Sequence, residues 1–362
     1  MQLRVPGPTP CPDEVLQSMT KQMINHRGKE FAELIRRVTD KLKVVFQTKE
    51  DVLMLGASGT GGLEAAIVNT LSPGDKVLSV SCGVFGERFA NIAEQYGAEV
   101  KRIQVEWGKA VDPQQVRDAL KADPGISTVL VTHNETSTGI TNDLRSISAA
   151  VKELDKLLLV DCISGLGSIN LPVDEWNCDV VVAGSQKGWM APPGITMVSV
   201  NQRGWEAVSK AKMPRFYFDF TRAKNFMEKG QTPWTPTITT IYALDVGLSL
   251  MEKEGPKNIF ARHARIGKIT REGVKSLGLS LFADEAFASN TVTAVNVPQG
   301  VDGKKLNEVL RDEYGVVIAG GQQTLAGKIF RIGHLGWVTE ADIEEVLSAL
   351  KNALPSVGFR NI

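Results

Sequence analysis

Apolar and polar residues alternate along this chain in two distinct rhythms. Short apolar runs recur at 51–55, 76–81, 99–105, 127–132, 157–160, 180–183 and 195–200, and each reads as a strand. Between most of them lie segments with apolar residues at three- and four-residue steps, at 63–71, 85–97, 113–122 and 144–154, which predict helices with one buried face. Two more helices are expected upstream, at 14–23 and 30–46. The repeated strand–helix alternation predicts an α/β fold whose mostly parallel sheet is covered by helices. The pattern carries no order for the strands within that sheet.

The rhythm changes after residue 200. Residues 213–226 are aromatic and basic with little periodicity, and read as a loop and short helix over a site entrance. A long amphipathic helix is expected at 237–252, broken by Glu254-Gly255-Pro256. Beyond the break come a helix at 259–277, a strand at 291–297, a helix at 304–314 and a strand at 316–319. The turn Gly320-Gly321-Gln322, a strand at 328–332 and a terminal helix at 341–353 complete a small α+β unit. The expected organisation is an N-terminal arm (1–14), a large domain (15–255) and a small C-terminal domain (256–362). Residues 1–12, with Pro6-Gly7-Pro8-Thr9-Pro10, read as an extended arm outside any helix or sheet ladder.

Composition narrows the class. A chain of 362 residues exceeds what one compact core usually holds, in keeping with two domains. Positive and negative side chains balance at 41 each, so no global field draws the protein to nucleic acid or to an anionic membrane. Cys11, Cys82, Cys162 and Cys178 form no Cys-x-x-Cys and have no histidines at metal spacing, which suits reduced thiols in the cytoplasm and no metal site. The first residues lack the apolar core of a signal peptide, no run approaches the roughly 20 apolar residues of a membrane span, and Phe359-Arg360-Asn361-Ile362 carries no recognised targeting tripeptide.

Candidate chemistry gathers at strand ends. Lys187 stands in Ala183-Gly184-Ser185-Gln186-Lys187, between two apolar runs, on a loop stiffened by Pro192-Pro193. A lysine held on a rigid, poorly hydrated loop has a depressed pKa, which suits an amine that attacks carbonyls; a solvated hairpin lysine is the plainer alternative. Upstream, Leu157-Leu158-Leu159-Val160-Asp161 ends in a carboxylate, where open α/β sheets place ligand-binding groups. An amine and an acid so placed are the pair that a pyridoxal phosphate enzyme needs, one for the Schiff base and one to hold a proton on the pyridine nitrogen. The acid reads equally as a strand-end cap or salt-bridge partner. Gly56-Ala57-Ser58-Gly59-Thr60-Gly61-Gly62 joins a strand to a helix start and presents N–H groups to an anion, without the spacing of a nucleotide fingerprint. Arg331, alone inside an apolar strand, requires either an internal acid or a substrate carboxylate.

Ser185-Gln186-Lys187, Ala191-Pro192-Pro193-Gly194 and Leu159-Val160-Asp161 together resemble the class V pyridoxal-phosphate-dependent aminotransferases, and most closely the alanine–glyoxylate and serine–pyruvate aminotransferase group. The resemblance runs from Pro6 to Gly333 and implies the fold type I architecture of that cofactor's transferases, as a homodimer with sites at the subunit interface. It implies Lys187 and Asp161 as catalytic residues and Ser58, Gly59, Thr60 and Thr235 at the cofactor phosphate. Phe85 would stack on the ring, Thr136 would lie near the ring's phenolic oxygen, and Gln186 would sit beside the lysine. Thr235 lies on a segment that in the family reaches the phosphate of the partner subunit, and on it Thr232, or Gln231, falls where relatives often carry a tyrosine. Gly7, on an arm that packs across the dimer, and Arg331 would border or bind the substrate. His26 and Arg27 match a motif near the pocket, while His133 is expected to brace its loop. The implied reaction moves an amino group between a small amino acid (alanine or serine) and a 2-oxo acid (glyoxylate or pyruvate). Aspartate as donor, a cysteine-desulfurase-like lyase and a non-catalytic hydrogenase-associated subunit remain as alternatives.

Overall fold

The computed structural model describes residues 1–359, so the 360–362 end read above for a targeting signal lies outside the described residues. Helices α1 (Asp13–Ser18) and α2 (Lys29–Phe46) precede strand β1 (Asp51–Leu55). The chain then alternates through α3 (Gly59–Thr70), β2 (Lys76–Ser81), α4 (Val84–Gln95), β3 (Glu99–Gln104), α5 (Pro113–Ala122), β4 (Thr128–Thr132), α6 (Leu144–Glu153) and β5 (Leu157–Asp161). Next come β6 (Val180–Gly184), β7 (Thr196–Val200), α7 (Gln202–Lys210), α8 (Phe220–Met227) and α9 (Ile238–Glu254).

The seven strands form one sheet in the order β1-β7-β6-β5-β4-β2-β3. Only β7 runs antiparallel to its neighbours, so the other six strands all point their C-terminal ends to one edge. Every residue of β4, β5, β6 and β7 is buried, the pattern of strands covered on both faces. Alternate residues serve opposite cores. Val129, Val131, Leu158 and Val160 pack with Ile35, Leu120 and Ile147 on one face. Leu130, Leu159, Val180 and Val182 pack with Leu63, Ile67 and Phe89 on the other.

Beyond α9 the chain turns at Gly255 and enters α10 (Pro256–Ser276) with proline in the first turn. There follow β8 (Val292–Asn296), α11 (Gly303–Tyr314), β9 (Ala319–Gly320), β10 (Ile329–Gly333) and α12 (Glu340–Ser356). The strands make an antiparallel sheet in the order β8-β10-β9, and Phe330 and Ile332 pack against Ile266, Leu310 and Leu350 of the three helices. A capping box between Thr339 and Asp342 starts α12.

Several expectations need correction. The helix expected at 14–23 ends at Ser18. Helix α3 begins at Gly59 rather than Leu63, because the glycine-rich turn itself supplies the first helical turn. Helix α7 went unread, and the strand expected at 316–319 is split into Val316–Val317 and β9. The arm does enter a ladder: Gln2–Leu3 pairs in parallel with Val316–Val317. The first proline is Pro6, so both of these residues keep the N–H groups a ladder requires.

Candidate active site

The shared C-terminal edge of the parallel strands gathers the chemistry. Asp161 ends β5, β6 leads into Ser185-Gln186-Lys187, β1 leads into α3 and β2 leads into α4. A cavity of about 270 Å³ opens there, lined by Lys187, Asp161, Ser58, Gly59 and Thr60, with Phe85, Thr136, Gln186 and Gly7 completing it from the expected set. Arg88, Asn134, Ser164 and Gln322 also line it and were not anticipated.

Burial sets the charges of the central pair. Desolvation lowers the Lys187 pKa to about 8; the nearby Asp161 carboxylate opposes this and the Arg331 and Arg88 cations add to it. Desolvation raises the pKa of Asp161, only 3% exposed, to about 7. The Ile163 N–H at 3.0 Å and the Thr132 hydroxyl at 3.4 Å hold its carboxylate in place. The Lys187 Nζ donates to the carbonyl of Pro6 at 2.5 Å. Thr9 fastens the arm to the same loop, its N–H bonding the Gln186 carbonyl at 3.1 Å and its hydroxyl that of Lys187 at 3.0 Å.

The glycine-rich turn becomes an anion cradle through close packing. A Cβ on Gly59 would lie 2.6 Å from Ile163, and one on Gly62 would lie 2.1 Å from Thr196, so α3 sits hard against the sheet edge. Ser58 caps α3 without spending its hydroxyl on the helix. The first-turn N–H groups of a helix have no intrahelical partners and carry the positive end of its dipole. Arg88 adds a cation: its Nη1 donates to the Thr60 hydroxyl at 3.3 Å, and its guanidinium lies 4.7 Å from the centre of the Phe85 ring. One turn after Phe85 on α4, it was legible as an i, i+3 neighbour.

Phe85 and Arg331 are tied to one loop. Glu135, fully buried, accepts the N–H groups of Phe85 and Gly86 at 3.0 Å each, and the Ser137 N–H and hydroxyl at 3.0 and 2.6 Å. Its neighbour Thr136 offers its carbonyl to Arg331 Nη1 at 3.1 Å. Arg331 spends Nε and Nη2 on the Gly320 carbonyl at 2.9 and 2.8 Å. It is 5% exposed and forms no ion pair with an acid among the described residues, so the internal Asp or Glu partner is ruled out as its anchor. Desolvation lowers its pKa to about 10, with Glu135 opposing.

Other expected residues lie elsewhere. Thr232 and Thr235 line a separate small pocket with Gly56, Tyr217 and Trp234, and the Thr232 hydroxyl donates to the Trp234 carbonyl at 2.7 Å. Arg27 holds that segment through Gln231, Thr232 and Pro233 at 3.1, 2.7 and 3.1 Å. His26 meets Phe31 edge-on. His133 is buried with its pKa lowered to about 4 by desolvation, and its backbone bridges Asp161 and Asn142. None of the four cysteines lines the cavity, and burial raises the pKa of Cys11 and Cys162 and brings Cys82 and Cys178 to about 12.

The family model for aminotransferase class-V matches residues 2–346. This chain belongs to that family. Class V aminotransferases use pyridoxal phosphate, and the residues here fit it. The α3 cradle with Arg88 suits a phosphate, the Lys187 amine an aldehyde, and the Asp161 carboxylate a ring nitrogen. Over 364 aligned residues, 100% of this chain and 95% of its relative, the sequence is 43% identical to a protein of Anabaena cylindrica named soluble hydrogenase 42 kDa subunit. It is 36% identical to the serine–glyoxylate aminotransferase of Methylorubrum extorquens, covering 99% of this chain and 92% of that one. The solved pyridoxamine–pyruvate aminotransferase of Mesorhizobium loti superposes with a TM-score of 0.95 at 34% identity, over 99% of this chain and 93% of that one. The chain is a pyridoxal-phosphate-dependent aminotransferase of fold type I.

Proposed function

We propose that this class V aminotransferase moves an amino group between a small amino acid, alanine or serine, and glyoxylate or pyruvate. The observation that carries the reading is Arg331: a buried guanidinium without an ion-paired acid among the described residues, bound through the Thr136 carbonyl to the cavity that holds Lys187 and Asp161. Its three hydrogen bonds leave two of the five guanidinium N–H groups for a substrate carboxylate.

Bound pyridoxal phosphate supplies an aldehyde for the amino group and a ring that draws electrons from the Cα–H bond. Lys187 would hold its aldehyde carbon, and Ser58, Gly59 and Thr60 its phosphate, with Gln186 beside them. Phe85 would lie on its ring face, Thr136 beside its phenolic oxygen, and Asp161 at the ring nitrogen. The Asp161 pKa of about 7 lets this carboxyl share a proton with a basic nitrogen inside a dry site. Lys187, with its pKa near 8, keeps a neutral fraction at neutral pH and takes the proton from the substrate Cα as general base. Arg331 fixes the carboxylate and thereby the direction of the Cα–H bond, and Gly7 leaves room for both beside the lysine.

The same reading makes the enzyme a homodimer. Thr232 and Thr235, held by Arg27 on a segment flanked by the exposed rings of Phe216 and Tyr217, would then reach the partner's phosphate cradle. Free thiols at all four cysteines support a reducing, cytoplasmic setting. No helix among the described residues is long and apolar enough to cross a membrane.

Half-reactions test the reading. The holoenzyme is mixed with single amino acids, and bleaching of its visible absorbance is followed. Serine or alanine should bleach it within turnover time, and glyoxylate or pyruvate should restore it; a holoenzyme that no amino acid bleaches sinks the proposal.

A further inference from the structure

The small domain contributes one uncommitted polar side chain to the cavity. Gln322 lines the space shared by Lys187, Asp161 and Thr136. It stands two residues after Gly320, whose carbonyl takes two of the three hydrogen bonds of Arg331. The turn that carries it is rigid. The Gly321 N–H bonds the Ile329 carbonyl at 2.9 Å, and the Leu325 N–H bonds the Gln322 carbonyl at 2.9 Å. A Cβ on Gly321 would fall 1.9 Å from the Leu325 carbonyl oxygen, so no other residue fits there without moving the turn.

The amide at the end of this side chain is unspent. Its Oε1 is buried with no hydrogen-bond partner among the described residues, and the residue lines the cavity. Gln186 has a similar unpartnered Oε1, but it packs by Gly184, next to Gly59 and the α3 cradle, on the phosphate side. Gln322 instead stands on the side of Arg331. A substrate whose α-carboxylate is gripped by Arg331, with its Cα beside Lys187, has its Cβ substituent as the remaining group to meet this turn.

We propose that Gln322 is a specificity-determining residue that donates from Nε2 to an oxygen on the substrate's Cβ substituent. The natural amino donor is then oxygen-bearing at that position, a β-hydroxy or β-carboxylate amino acid preferred over alanine. This deepens the aminotransferase reading of the same site and rests on it. A site built to bond a polar substituent discriminates against an apolar isostere because its own polar group is then left unpaired.

The test compares L-serine, L-aspartate and L-2-aminobutyrate, whose methyl group replaces the serine hydroxyl, as donors for the holoenzyme and for Gln322→Leu. In the wild type, kcat/KM for serine or aspartate should exceed that for 2-aminobutyrate by about tenfold or more, and Gln322→Leu should bring that ratio down by about tenfold. Whichever oxygenated donor loses its advantage identifies the hydroxyl or the carboxylate as the group read. Calorimetric titration of the holoenzyme with 2-methylserine and 2-methylalanine, which lack a Cα–H bond, reads binding without turnover. Should aspartate be the donor affected, 2-methylaspartate takes the place of 2-methylserine. A difference in affinity that vanishes in Gln322→Leu supports the assignment. Ratios and affinities that do not differ between donors, or that survive the substitution, overturn it. A wild type active with alanine alone overturns the assignment, and one inactive with alanine as well overturns the proposed reaction, a separate failure.

Discussion

Lys187 and Pro6 are joined by a hydrogen bond of 2.5 Å, from the amine of the sheet-edge loop to the carbonyl of the N-terminal arm. Gly7, the next residue, has φ +133, and a Cβ there would sit 2.3 Å from the Lys187 Nζ. The arm therefore forms a wall of the site that only glycine allows. Gly7→Ala should lower kcat/KM about 100-fold while costing roughly 1–3 kcal/mol of stability, the scale of local backbone strain. Urea unfolding beside steady-state kinetics checks it; full activity would show that the arm is dispensable.

Lys187 and Asp161 predict opposite responses to pH. The amine reacts only when neutral, so uptake of pyridoxal phosphate by the cofactor-free protein should accelerate through about pH 8 rather than near the ordinary 10.5. Asp161→Asn removes the carboxylate that raises this pKa, and the inflection should move lower. Stopped-flow absorbance against pH reports both.

Asp161 also links to stability. Its folded pKa, about 7, lies above its ordinary 3.8, so the folded state binds the proton more tightly. The stability it contributes is complete at acid pH and falls as pH rises from about 4 through 7. Denaturant melts of the cofactor-free protein should therefore show less loss across that window in Asp161→Asn than in wild type. An identical pH dependence would contradict the buried, proton-holding carboxyl.

Arg331→Lys keeps charge but loses the fork. Because the guanidinium spends three bonds on the Gly320 and Thr136 carbonyls, lysine cannot both hold its place and grip a carboxylate. KM for amino and oxo acids should rise together by about 100-fold, with little change in cofactor affinity. A substitution that alters kcat alone would place Arg331 outside substrate binding.

Glu135→Ala should be costly to the fold as well as to the site. It strips partners from the N–H groups of Phe85 and Gly86 at the start of α4 and of Ser137 in its own loop, a loss on the order of 3 kcal/mol. Chemical denaturation gives the figure, and cofactor titration should show weaker binding because Phe85 loses its backbone anchor.

The chain's own pattern determined the fold class, because two-sided burial writes continuous apolar runs such as 157–160 and 180–183, and one-sided helices write three- and four-residue steps. It also marked Lys187, Asp161 and the 56–62 turn, since a lone charge or a glycine cluster at the end of an apolar run stands out locally. Contacts between distant segments left no such trace. The strand order, the arm across Lys187, and the Glu135 link between Phe85 and Arg331 depend on which elements meet, and Gln322 looked like any turn glutamine. Thr232 and Thr235 show the converse: sequence named them, but folding of one chain puts them in another pocket. Local periodicity reports how much of each residue is buried; only packing in three dimensions decides what it is buried against.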